Sequence, residues 1–74
     1  MSEDAWERLG IGEDDVKRCD ILQNSKTTES ARNYWKKCFY LLQNMKYRSY
    51  ERITRPQRNW IKSIKNDLLK EFKL

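Results

Sequence analysis

The chain has 74 residues and no histidine, enough for one domain with a small core and too little for a deep catalytic pocket built from several elements. Without histidine it lacks the commonest general acid–base group and the commonest metal ligand. Its charge is uneven: residues 1–24 carry seven acids and three bases, a net of −4, and residues 25–74 carry thirteen bases and four acids, a net of +9, which together give +5; such asymmetry points to a polyanionic partner, either nucleic acid or an anionic membrane.

With two glycines, one proline and no alternating strand pattern, the whole chain reads as helix broken by short turns. A short first helix is expected with Ser2 as its N-cap, Glu3 and Asp4 at the positive end of its dipole, and Ala5, Trp6 and Leu9 as its apolar residues. Gly10 suits a left-handed stop. The second helix begins at Gly12, with Glu13, Asp14 and Asp15 in its first turn and Ile11 and Val16 at the two positions of a hydrophobic staple. Val16, Cys19 and Ile21 or Leu22 carry its apolar stripe to about Gln23. The acidic cluster thus has a full structural explanation, and no EF-hand-like spacing follows it.

After a polar linker at residues 24–27, Thr27 or Thr28 caps a third helix whose seam is Ala31, Trp35, Cys38, Leu42 and Met45, with steps of four, three, four and three. Tyr34, Phe39 and Leu41 widen the seam, and Arg32, Lys36 and Lys37 lie off it. Residues 46–53 form a connector that has room for a helical turn. The last helix starts sharply, with Thr54 as N-cap, Pro56 in the first turn and Gln57 at the capping-box position. Trp60, Ile61, Ile64, Leu68 and Phe72 share one of its faces, and Arg55, Arg58, Lys62, Lys65 and Lys73 line the other. The expected architecture is all-α: a compact bundle of two long helices, about 28–45 and 54–72, closed by two shorter N-terminal ones. Trp6, Trp35 and Trp60 are expected to meet in its core.

The two cysteines, Cys19 and Cys38, form no CxxC and, without histidine, cannot make a structural zinc site. No apolar run approaches the ~18 residues of a membrane span, and the acidic, polar start lacks the pattern of a signal peptide. The expectation is a reduced, cytoplasmic protein with two buried thiols and no metal or cofactor.

No catalytic constellation and no glycine-rich phosphate loop occurs, so the chain is not expected to be an enzyme. Asp67 and Glu71 stand one helical turn apart and could act as paired carboxylates, but they sit equally well as surface ion pairs beside Lys70 and Lys73. The positive feature is the basic and aromatic stretch at residues 46–65, where seven bases face one acid. The candidate contacts are Lys46, Tyr47, Arg48, Tyr50, Arg52, Arg55, Arg58, Lys62 and Lys65, with Arg32, Lys36 and Lys37 extending the patch if the third and fourth helices run antiparallel. Arginine grips phosphate with a bidentate fork. Tyr47 and Tyr50 either stack on unpaired bases or close the core. No tight-turned helix-turn-helix is present, so phosphate contact without base reading is the expected mode.

The segments Trp6-Glu7-Arg8-Leu9-Gly10-Ile11, Asp15-Val16-Lys17-Arg18-Cys19, Tyr34-Trp35-Lys36-Lys37-Cys38 and Gln57-Arg58-Asn59-Trp60-Ile61 together resemble the small helical accessory proteins linked to the UvsW helicase of T-even-type phages, which correspond to the C-terminal extension of that recombination and repair helicase. The resemblance spans nearly the whole chain. It implies an accessory role in ATP-dependent remodelling of branched DNA or of RNA–DNA hybrids, in the host-cell cytoplasm, with the ATPase motifs in a helicase body; the expected partners are single-stranded or branched DNA or an RNA–DNA hybrid, bound by a monomer. It supplies no binding residues, so the site rests on charge and helical position. The alternative is a protein-interaction module, a phage factor docking through its acidic N-terminal part or an exposed apolar face. A membrane-surface role ranks below both, because the basic helix needs its apolar side for the domain's own core.

Overall fold

The computed structural model describes residues 4–73. Four α-helices lie among them: α1 (Ala5–Leu9), α2 (Glu13–Ser25), α3 (Glu29–Met45) and α4 (Arg55–Phe72), with a 3₁₀ turn at Tyr50–Arg52 between α3 and α4. The all-α expectation holds, and the two long helices fall where the apolar seams placed them.

The boundaries follow from local chemistry. The expected Ser2 cap lies outside the described residues; Asp4 occupies the N-cap position of α1. Gly10 ends α1 at φ 73°, a left-handed conformation that a side chain would strain. At the start of α2 the Gly12 N–H donates to Asp15 Oδ2 at 3.0 Å, so Asp15 satisfies a donor that the helix leaves open. Thr28, rather than Thr27, caps α3 by accepting from the Ala31 N–H. Thr54 and Gln57 form a reciprocal capping box at α4, with Gln57 N–H on Thr54 Oγ1 at 3.4 Å and Thr54 N–H on Gln57 Oε1 at 3.0 Å.

α2 and α3 form an antiparallel hairpin, joined across Lys26 to Thr28. Tyr34, near the start of α3, donates its hydroxyl to Asp67, near the end of α4, at 2.9 Å, so α3 and α4 also run antiparallel. Val16, Cys19 and Leu22 of α2, Trp35, Cys38, Leu42 and Met45 of α3, and Ile61, Ile64 and Leu68 of α4 form the buried core. α1 closes one end of these three helices. Its Trp6 is buried, and the indole N–H donates to the Leu42 carbonyl at 2.7 Å. Ile11 and Ile53 seal the same end.

Two details differ from the sequence-based picture, and one open choice, Ile21 or Leu22, is decided. α2 runs on to Ser25, two residues beyond Gln23. Leu22 takes the core position, and its neighbour Ile21 is left 53% exposed. Trp60 packs against the core only partly buried, whereas Trp6 and Trp35 are buried. Trp60 sits at the margin of the α4 stripe, whose centre is Ile61, Ile64 and Leu68, so it packs at the edge of the core rather than within it.

Candidate nucleic-acid interface

The connector between α3 and α4 is held by its backbone. Arg48 N–H donates to the Met45 carbonyl at 3.1 Å, Arg52 N–H to Ser49 at 3.1 Å and Ile53 N–H to Tyr50 at 3.0 Å. It is also stitched to α1: Ala5 N–H donates to the Arg48 carbonyl at 3.0 Å, and Asp4 pairs with Ser49 as a single antiparallel bridge. With Ile53 turned into the core, Tyr47, Arg48 and Arg52 stand on the outside. The capping box then launches α4 so that Arg55, Arg58 and Lys62, spaced by three and four residues, rise along one edge.

These residues come together at the end of the bundle that α1 closes. Tyr47 is 86% exposed, which removes the possibility that it closes the core. Tyr50 is half-buried, with the guanidinium of Arg58 5.2 Å and that of Arg8 4.8 Å from its ring centroid. Arg8 is the member that the sequence pattern missed, because it belongs to the acidic N-terminal part. A faint signal existed: once Trp6 turns inward, a residue two positions on lies about 200° round the helix and faces out. Among the described residues, Arg48, Arg52, Arg55, Arg58 and Lys62 form no ion pair. The carboxylates of α1, its N-cap and the connector are Asp4, Glu7 and Glu51, and the first two turns of α4 carry none, so six cations, counting Arg8, outnumber three anions there.

Other candidates are already occupied. Lys46 bonds Glu13, and its ammonium also lies 5.4 Å from the Trp6 ring centroid and 5.5 Å from that of Tyr47. Its hydrogen bond to Glu13 holds the ammonium above its ordinary pKa, against the smaller opposing effect of burial. Lys65 donates to the Gly10 carbonyl, at the negative end of α1, and lies 3.9 Å from Asp15 Oδ2. Both lysines therefore fasten α1 and α2 to the rest of the bundle. Arg32 donates to the Thr27 carbonyl at 3.3 Å, at the opposite end of α3. At 1.5 Å per residue it stands about 20 Å along the helix from Met45, so Arg32 does not join the cluster. Lys36 and Lys37 are exposed on the middle of α3.

The carboxylate and thiol candidates have structural partners. Asp67 accepts from Tyr34, and Glu71 pairs with Lys26 at 2.6 Å, across helices rather than with Lys70 or Lys73. Burial pushes the Cys19 thiol up to about 12 and the Cys38 thiol up to about 11, the latter despite the neighbouring polar groups of Tyr34 and Trp60, which favour the thiolate. Burial, followed by the bond to Asp67, likewise holds the Tyr34 phenol well above its ordinary value. Among the described residues no group of three or more acids and cysteines is placed to hold a metal ion, and no helix is long and apolar enough to cross a membrane.

What this surface can do chemically is bind anions. Arginine forks suit phosphate oxygens, and an exposed tyrosine offers a flat ring to a base. No family model matches the chain, and no curated protein or solved structure matches it either.

Proposed function

We propose that the chain is a non-catalytic nucleic-acid-binding module that assists an ATP-dependent helicase in DNA recombination and repair through contacts to the phosphate backbone. The observation that carries this reading is the set of arginines at one end of the bundle, Arg48, Arg52, Arg55 and Arg58, which have no ion pair among the described residues. A surface meant only for solubility would intersperse charges of both signs. The helicase association rests on the resemblance of the segments around Trp6, Cys19, Trp35 and Trp60, which implies an ATPase in a separate body.

The test is an NMR titration of the ¹⁵N-labelled chain with single-stranded, duplex and forked DNA at two salt concentrations. Amide shifts should centre on residues 47–62 and on Arg8, and should shrink as salt rises, because counterions are released from phosphates on binding. Shifts confined to α2, or none with any DNA, would sink the proposal and favour the protein-interaction alternative.

A further inference from the structure

Phosphate contacts alone do not select a single strand, since the denser charge of a duplex gives each contact the larger counterion-release term. We propose that Tyr47 gives this surface a preference for single-stranded DNA, by stacking on an unpaired base while the neighbouring arginines hold the flanking phosphates. The inference rests on the nucleic-acid reading above and sharpens it to a strand state and a residue.

Tyr47 is the most exposed large apolar side chain among the described residues, at 86%. Its backbone is nonetheless fixed. Lys46 N–H donates to the Gln43 carbonyl at 3.2 Å and Arg48 N–H to the Met45 carbonyl at 3.1 Å, and the Lys46 side chain is tied to Glu13. A bulky ring held out in water on an ordered turn loses little further backbone freedom on binding. The remaining tyrosines are engaged. Tyr34 donates to Asp67. The ring of Tyr50 has the guanidiniums of Arg8 and Arg58 beside it. Tyr40 is 54% exposed but meets Phe39 edge-on at 5.6 Å, on the middle of α3 away from the arginine cluster. Tyr47 has the Lys46 ammonium 5.5 Å from its ring centroid, but at 86% exposure most of its ring stays open to a base, and it adjoins Arg48 directly.

The strand preference follows from base geometry. In a duplex each base face is covered by its neighbours, and a side chain reaches one only by prying the stack apart. In a single strand the faces are open and stacking is largely independent of sequence.

Fluorescence anisotropy with a labelled, non-self-complementary strand, and with the same strand annealed into a duplex, tests the proposal on the intact chain. The wild-type protein should bind the single strand more tightly. Tyr47→Ala should weaken single-strand binding about 5- to 150-fold, the range seen when a base-stacking aromatic is truncated, and leave duplex affinity unchanged. Tyr47→Phe should keep the preference, and Tyr40→Ala should be silent. Since Tyr47 is 86% exposed, thermal melts of the Tyr47 variants should coincide with wild type. Salt-sensitive binding with no strand preference, or with no loss in Tyr47→Ala, would overturn the stacking role and leave the nucleic-acid reading standing. Absence of binding to either form would remove both.

Discussion

Replacing Arg55, Arg58 and Lys62 together with alanine removes three cations that lie on one edge of α4 and have no ion pair among the described residues. If each meets one phosphate, the slope of log K against log salt should become shallower by about 2 for a single strand, at about 0.7 per contact, and by about 2.7 for a duplex, at about 0.9 per contact. At 0.1 M salt the single-strand figure corresponds to about a 100-fold loss of affinity, and the loss closes as salt approaches 1 M. Folding should be nearly untouched. Arg55 sits at the positive end of the α4 dipole, where a cation is unfavourable by a few tenths of a kcal/mol, and the exposed contact of Arg58 with Tyr50 contributes about 0.5–1 kcal/mol. The assay is a set of anisotropy isotherms across a salt series, with a thermal melt of the variant as control. A matched triple variant at Lys36, Lys37 and Lys70 sets the effect of net charge alone. A slope that stays within half a unit of wild type, or an equal change in the matched variant, would refute the assignment of phosphate contacts to this edge.

Three further outcomes follow from the packing. Trp6→Ala, which empties a buried indole site and leaves the Leu42 carbonyl without its 2.7 Å donor, should cost about 3–5 kcal/mol in urea unfolding; a cost below about 1 kcal/mol would mean that α1 is not anchored by this ring. Lys65→Ala breaks ties to Gly10 and Asp15 in a side chain that is 37% exposed, and should cost under about 1 kcal/mol while leaving the salt slope of DNA binding unchanged; a shallower slope would put Lys65 on the phosphates. For the thiols, the folded values of about 12 and about 11 lie above the ordinary 9.0. Above pH 9 the unfolded chain therefore holds fewer protons than the folded one, and stability falls between pH 9 and about 12; the fall should be shallower in a Cys19→Ala/Cys38→Ala variant, and identical slopes would show that the thiols titrate normally. Neither thiol should react with iodoacetamide at pH 8 until denaturant is added.

Local chemistry made most of the fold legible. The seam Ala31, Trp35, Cys38, Leu42 and Met45 repeats at helical spacing, and Thr54, Pro56 and Gln57 mark a helix start by their own hydrogen bonds. Choices that depend on partners far along the chain were not legible. Ile21 and Leu22 are equally apolar neighbours, and only the position of α3 decides which is buried. The same division runs through the site. Tyr47 to Lys62 is a contiguous run, visible as such. Arg8 reaches it only because α1 folds back onto the connector, through the Ala5 N–H on Arg48. The occupation of Lys46 by Glu13, 33 residues away, and of Lys65 by Gly10, 55 residues away, has no local sign at all.

Those long-range ties alter the meaning of the charge asymmetry. Read linearly, an acidic N-terminal third precedes a basic remainder. In space, acids of the first part are aimed at lysines of the second: Glu13 at Lys46 and Asp15 at Lys65, while Glu71 takes Lys26. A lysine suits this work, since its compact charge on a flexible stem tolerates the imprecise spacing between helices. The planar fork of arginine is wasted on such a tie and well matched to phosphate. Three lysines, Lys26, Lys46 and Lys65, are thereby taken up in ties between elements, and the arginines of the connector and of early α4, with Lys62, remain as a local excess at one end. The proposed attraction for a polyanion therefore rests on a small region rather than on the net charge of the chain.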